Sequence, residues 1–285
     1  MPPLYIVLHL LLATLGFYLA LRLPARSKWR NALGVGVLTA VLFGFAAERV
    51  PAWSWRAMQF AFSDLVFLTN ISLLGVSVLL GLMWSNARQE KTKAAKVRAA
   101  ILSLPLLGVA GWSYAWYFAP LPPDLFGKVD KHGYCQQTSD DSCSDCAAAM
   151  ILHSHGIAAT ENEMARLCLT RQKQGTPPLG LYRGLAVKAR AKNLRPHFVF
   201  LKHPREFYNL GAAIIAVGIK SNAPREIKLK MENYGWNPGQ SHAVVILNAD
   251  KNGQWLDVAD PTYGRERWPT KDLEYLWDGS AVILR

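Results

Sequence analysis

The hydrophobic pattern changes character near residue 120. Before it, long apolar runs are separated by short polar ones; after it, short apolar runs alternate with turn residues. Four early runs each approach the roughly 20 residues that cross a bilayer: Leu4 to Leu21, Asn31 to Ala47, Met58 to Trp84, and Ala99 to Ala119. Four such runs in succession with so few charges predict a four-helix transmembrane region. The first lacks a charged leading region and a small-residue cleavage site, so it reads as a retained span. Pro105 predicts a kink in the fourth.

Ala119-Pro120-Leu121-Pro122-Pro123-Asp124 is a proline-rich stop. It divides the chain into a membrane domain, 1–120, and a globular domain, 121–285. In the second part the pattern predicts helices over Cys143–His155, stopped by Gly156, and over Thr160–Leu169, where Thr160 and Glu163 have capping-box spacing. A third helix is expected over Leu179–Lys192. Strands are expected near His197–Leu201, Ala212–Ile219, Ala243–Asn248, Trp255–Ala259 and Ala281–Leu284, with a short helix near Lys271–Trp277. Helices first and adjacent strands after predict an α+β fold with an antiparallel sheet.

Charge sharpens the first half. The 285-residue chain carries a formal +12. Up to Pro120 there are 11 Lys+Arg against 3 Asp+Glu, and afterwards 21 against 17. The excess therefore belongs mainly to the apolar half and reads as membrane topology. No basic run interleaved with aromatics points to nucleic acid. The richest loops follow the first run (Arg22, Arg26, Lys28, Arg30) and the third (Arg88, Lys91, Lys93, Lys96, Arg98). Placing both in the cytoplasm puts the termini, and the globular domain, outside. Trp53, Trp55, Trp112, Tyr114, Trp116 and Tyr117 would form an outer aromatic belt. Asp64 falls near the outer interface; an intramembrane carboxylate is a functional candidate, but here it reads as a hydrated or helix-facing side chain.

The candidate chemistry begins at Gln137-Thr138-Ser139-Asp140-Asp141-Ser142-Cys143. A turn-prone polar run delivers a cysteine to the start of an alanine-rich helix, where the free N–H groups and the helix dipole favour a thiolate. Gln137, six residues upstream, could donate to an oxyanion. His242 opens one apolar strand and Asp260 closes the next. If those strands pair as a hairpin, a base and its orienting carboxylate become neighbours. Asp257 is the weaker alternative to Asp260, and a bulge would exchange them. Cys143 and Cys146 also have the C-x-x-C spacing of a thiol-disulfide oxidoreductase, but no strand directly precedes them. Cys135 and Cys168 are candidates for a disulfide if the domain lies outside. His153 and His155 are two apart on a helix and point apart, against a closed zinc site. His132, His197 and His203 read as surface residues.

These residues resemble the bacteriocin-processing cysteine peptidases, the double-glycine leader peptidases with a papain-like fold. The likeness covers about residues 130 to 285. It rests on Gln137, Cys143, the small-residue helix ending at Gly156, Gly175-Thr176, His242 and Asp260-Pro261-Thr262-Tyr263-Gly264. It implies Cys143 as nucleophile, His242 as base, Asp260 as its orienter and Gln137 as oxyanion donor, with no metal or organic cofactor. The family's usual Asp-Cys-Gly-Pro is here Ser142-Cys143-Ser144-Asp145, and His155 replaces an aromatic ring. No Gly-x-x-x-x-Gly-Lys-Ser/Thr phosphate loop occurs. The expected enzyme is a membrane-anchored cysteine peptidase whose partners are a peptide substrate, the bilayer and a membrane protein. An acyltransferase or deamidase would use the same thioester. A degenerate, peptide-binding domain is disfavoured by the intact Cys, His, Asp and Gln set.

Overall fold

A computed structural model describes residues 3–23, 33–34, 36–38, 65–68 and 72–285. The expected second span lies mostly outside the described residues. So do Trp53, Trp55, Asp64, Arg26, Lys28 and Arg30. The chain divides into two compact units, one drawn from the described residues up to Ala119, the other from Pro120 to Arg285.

In the first unit, α1 spans Pro3–Arg22, α2 Ser72–Glu90 and α3 Lys93–Phe118. Glycines let α1 and α2 approach closely. A Cβ on Gly81 would stand 2.6 Å from the Phe17 carbonyl oxygen and 2.7 Å from the Ala20 Cβ. Among the described residues two helical stretches, Leu4–Arg22 and Lys93–Trp112, are long and apolar enough to cross a membrane. Only 17% and 22% of their most apolar windows are buried, unlike the core helices of a water-soluble domain. The described part of the third expected span departs from the reading. It comprises a helical segment, Leu65–Leu68, and a helix that starts at Ser72, passes Trp84 and ends in Ala87-Arg88-Gln89-Glu90. The basic segment after it is not a loop either. The chain turns at Lys91, in left-handed backbone, and Thr92, whose hydroxyl accepts from the Ala95 N–H (3.1 Å). Lys93, Lys96 and Arg98 then form the first turns of α3, which runs through Pro105 to Phe118.

In the second unit, α4 spans Cys143–Ser154, α5 Glu161–Leu167 and α6 Pro178–Ala189, ahead of a six-stranded sheet. The strands are β1 (Pro196–Phe200), β2 (Ala213–Val217), β3 (His242–Ala249), β4 (Trp255–Asp260), β5 (Gly264–Pro269) and β6 (Ser280–Leu284). Their order is β1-β6-β2-β3-β4-β5, every pairing antiparallel. The α+β fold with an antiparallel sheet is thus observed. Alternate residues Ile215, Val244, Ile246, Leu256 and Val258 join Phe207, Met231, Trp236 and Trp268 in a buried cluster on one face of the sheet. α4 packs against β3. Every α4 residue from Asp145 to Leu152 is buried, so this helix is enclosed on all sides. Burying Met150, Ile151 and Leu152 contributes roughly 1.5–3 kcal/mol each. That enclosure fixes the direction in which the first residue of the helix points.

One strand and one α-helix of this unit were not expected. β5, Gly264-Arg265-Glu266-Arg267-Trp268-Pro269, is an edge strand, where charge and a terminal proline are tolerated. A further helix, α7 (Arg225–Asn233), follows Pro224 and buries only Met231.

Candidate active site

The site is assembled where α4 begins beside the starts and ends of the central strands. Cys143 is the first residue of α4 and is partly exposed. Burial by itself raises its thiol. The His242 charge, the His242 hydrogen bond, the Ala243 backbone N–H and the Ser144 hydroxyl outweigh that effect, and the thiol lies below its ordinary value. Burial likewise opposes a charge on His242. The Cys143 thiolate and the hydrogen bond to Asp260 prevail and raise the imidazole to about 10. Each charge therefore favours the other: the imidazolium lowers the thiol, and the thiolate raises the imidazole.

His242 and Asp260 meet because β3 and β4 are antiparallel, with Val245 opposite Ala259. His242 Nε2 and Asp260 Oδ1 are 2.7 Å apart, which leaves Nδ1 for the thiol. Asp260 is fully buried, and its oxygens are occupied: Oδ1 also accepts from the Thr262 N–H (2.8 Å), and Oδ2 from the Trp236 Nε1–H (2.8 Å). The Trp236 ring lies 5.0 Å from the His242 ring, tilted by 56°. The register does shift between Ile246 and Asn248, yet Asp257 stays exposed, beside Arg267 at 3.9 Å. Asp260, not Asp257, is the partner of His242.

Gln137 is fixed from both sides. Its N–H donates to the Pro261 carbonyl (2.9 Å), next to Asp260. Its side-chain Nε2 donates to the Ser139 carbonyl (3.0 Å), while Oε1 is buried without a partner. Tyr134 braces the same corner by donating to the Asp260 carbonyl (3.0 Å).

The reading of the sequence missed Glu161, the first residue of α5. It is fully buried, and its oxygens gather the loop that precedes Cys143. Oε2 accepts from the Gly127 N–H (2.6 Å) and Oε1 from the Thr138 N–H (2.8 Å). The hydroxyls of Thr138 and Ser142 lie 2.6 Å from Oε2 and Oε1 respectively. The departure from Asp-Cys-Gly-Pro gains a physical role here, since Ser142 serves Glu161. The capping box is only half formed. Thr160 accepts from the Glu163 N–H (3.2 Å), but the Glu163 carboxylate pairs with Lys188. Asp145 is also buried, its Oδ1 accepting from Thr170 (2.8 Å). Burial drives its carboxyl well above the usual range; the Thr170 bond opposes this, and the negative charges of Cys143 and Glu161 add to it. Neither acid bore a spacing signal, because their partners are distant in sequence.

The C-x-x-C alternative receives no geometric support. Cys146 faces Cys135, with the sulfurs 3.0 Å apart, and not Cys143. That hydrogen bond and burial raise the Cys146 thiol. Cys168, the expected partner of Cys135, instead lies against α6, where a Cβ on Gly184 would stand 2.2 Å from its sulfur. His132, His197 and His203 are exposed, as expected.

A lowered thiol, an imidazole and a buried carboxylate at the start of a central helix packed on an antiparallel sheet define a papain-like cysteine peptidase. The chain belongs to the Peptidase C39 family, whose model matches residues 131–285. A comparison with curated proteins finds no match. Among solved structures it is similar to the peptidase domain of Streptococcus ComA, a bi-functional ABC transporter involved in a quorum-sensing pathway. The identity is 18% over 52% of this chain and 94% of that one, with a TM-score of 0.40. It is also similar to a double glycine motif protease from an AMS/PCAT transporter in complex with the leader peptide (17% identity, 56% and 97% covered, TM-score 0.39). A third is the N-terminal peptidase C39-like domain of the toxin secretion ATP-binding protein from Vibrio parahaemolyticus (12% identity, 52% and 98% covered, TM-score 0.35).

Proposed function

We propose that the protein is a membrane-anchored cysteine peptidase that cleaves a peptide or leader segment from a secreted or membrane-emerging substrate. Cys143, His242 and Asp260 act as a triad. The observation that carries this reading is the line from the Cys143 thiol through the His242 ring to Asp260 Oδ1, 2.7 Å from Nε2. The thiolate attacks the scissile carbonyl carbon and breaks its π bond. The resulting oxyanion accepts from the Cys143 N–H at the start of α4 and from the Gln137 amide. As the C–N bond breaks, the imidazolium gives its proton to the leaving amine. His242, now neutral, takes a proton from water, whose oxygen displaces Cys143 from the thioester. Asp260 keeps the ring oriented and stabilises its charge.

The membrane part of the proposal rests on the two apolar helices among the described residues and on the four apolar runs of the sequence. The globular domain, 121–285, follows as a unit of its own. The basic clusters at Arg22–Arg30 and Arg88–Arg98 favour the cytoplasm and leave this domain on the outer face. Four spans would hold the enzyme close to substrates leaving the bilayer or a membrane partner. The test is Cys143→Ala in the cell of origin, with mass spectrometry of retained and uncleaved proteins. One or more precursors should accumulate or co-purify with the variant; unchanged processing throughout would sink the reading.

A further inference from the structure

Two buried thiols lie outside the triad. Cys135 and Cys146 are both fully buried, and their sulfurs approach to 3.0 Å. A disulfide bond is about 2.05 Å long, so small side-chain rotations close the gap. We propose that Cys135 and Cys146 form a disulfide that closes a covalent ring around the nucleophile-bearing turn.

The ring's position gives it a function. It encloses Gln137, Ser139, Ser142 and Cys143, the residues that form the turn into α4. One anchor, Cys135, follows Tyr134, whose hydroxyl donates to the Asp260 and Pro261 carbonyls. The other, Cys146, is in the first turn of the enclosed helix α4. The bond therefore ties the Gln137 segment to the helix that carries the nucleophile, and it leaves Cys143 free. The proposal stands independently of which substrate is cleaved.

The chemistry is thiol-disulfide exchange with a low-molecular-weight disulfide such as oxidised glutathione. One cysteine thiolate attacks the donor, breaking its S–S bond and releasing one thiol. The second cysteine then attacks the mixed disulfide and releases the other. Two electrons pass to the donor, and the two thiol protons end on the released thiols. In the closed domain Cys146 is shielded and held in its neutral form. Exchange therefore takes place while the segment 135–146 is open, during folding or in brief openings. An oxidising outer compartment favours the bridged form.

Trypsin releases His132–Arg166 as one peptide bearing Cys135, Cys143 and Cys146. The full-length protein is held with excess oxidised glutathione just below its thermal midpoint. It is then denatured in N-ethylmaleimide, digested without reductant and analysed by mass spectrometry. The expected peptide has Cys135 bridged to Cys146, two hydrogens lighter than the reduced form, with its sole adduct, maleimide or glutathione, on Cys143. In Cys143→Ala it carries none. The thermal midpoint of the oxidised protein falls on reduction, by about 6–10 °C for a ring of this size, in wild type and in Cys143→Ala. Cys135→Ala shows no such fall. Three maleimides after oxidation, or a bridge that includes Cys143, would overturn the proposal.

Discussion

Glu161→Gln puts the organisation of the nucleophile turn under direct test. The two side chains have the same shape but different chemistry. The carboxylate gives one oxygen to the Gly127 N–H and the other to the Thr138 N–H. A glutamine has one oxygen, so one of those N–H groups must face an NH2. Each buried donor left without an acceptor costs about 1–3 kcal/mol. For a domain of this size that lowers the thermal midpoint by about 2–12 °C. Thr138 adjoins Gln137 and Ser142 adjoins Cys143, so the site loses alignment as well, and misplacement of this kind costs about 10- to 100-fold in rate. Thermal unfolding of the full-length protein measures the first effect, and the rate of Cys143 alkylation by iodoacetamide the second. A variant that matches wild type in both would refute the reasoning.

Three further outcomes follow from the same contacts. His242 is raised to about 10 and Cys143 lowered, so the ion pair persists between the thiol's lowered value and about pH 10. The His242 contribution to stability is complete below pH 6.5 and is lost as pH rises through about 10. The thiol's contribution is present above its ordinary value and lost as pH falls through the lowered one. Peptide cleavage should follow a bell whose alkaline limb lies near 10, measured as kcat/KM. The carboxyl of Asp145 is raised, so its folded form holds a proton that the unfolded chain releases. Stability therefore declines as pH rises from 3.8 through the raised value, by up to about 1.4 kcal/mol per pH unit. Asp145→Asn removes that slope and leaves the neutral-pH midpoint equal or higher, which denaturant titration at several pH values checks. Finally, a Cβ on Gly180 would stand 2.0 Å from the Cys168 carbonyl oxygen. Gly180→Ala should cost about 1–3 kcal/mol, read as a shift in the denaturant midpoint.

Much of this architecture is legible in the apolar pattern. The run from Ala243 to Leu247 can only be a buried strand or a piece of buried helix, and its length and β-branching choose the strand. That choice brings His242 to the strand's start and, through the hairpin, next to Asp260. The helix at Cys143 is legible from Ala147-Ala148-Ala149 and from Gly156, whose backbone is left-handed (φ +70°) where the helix stops. What escapes the pattern has physical reasons. β5 borrows its order from β4, so its own Arg265-Glu266-Arg267 carries no strand signal. α7 meets the core through Met231 and, one turn earlier, the half-buried Ile227, a stripe too short to stand out in nine mostly charged residues. Trp236 and Glu161 are distant in sequence from the groups they bind, and no local spacing predicts such contacts. The segments before residue 120 show the opposite limit. Hydropathy located apolar stretches there, but helix ends depended on local turns such as Lys91-Thr92.

The proposed catalysis depends on a Cys143 thiolate sustained by His242. The most direct measurement is the rate of iodoacetamide alkylation at Cys143 against pH, followed by mass spectrometry of the full-length wild type and of His242→Ala. The wild type should alkylate rapidly well below pH 9. In His242→Ala burial is unopposed by the imidazolium, and the midpoint should move to pH 9 or above. Equal profiles for the two proteins, or a wild-type midpoint already at pH 9, would contradict the account.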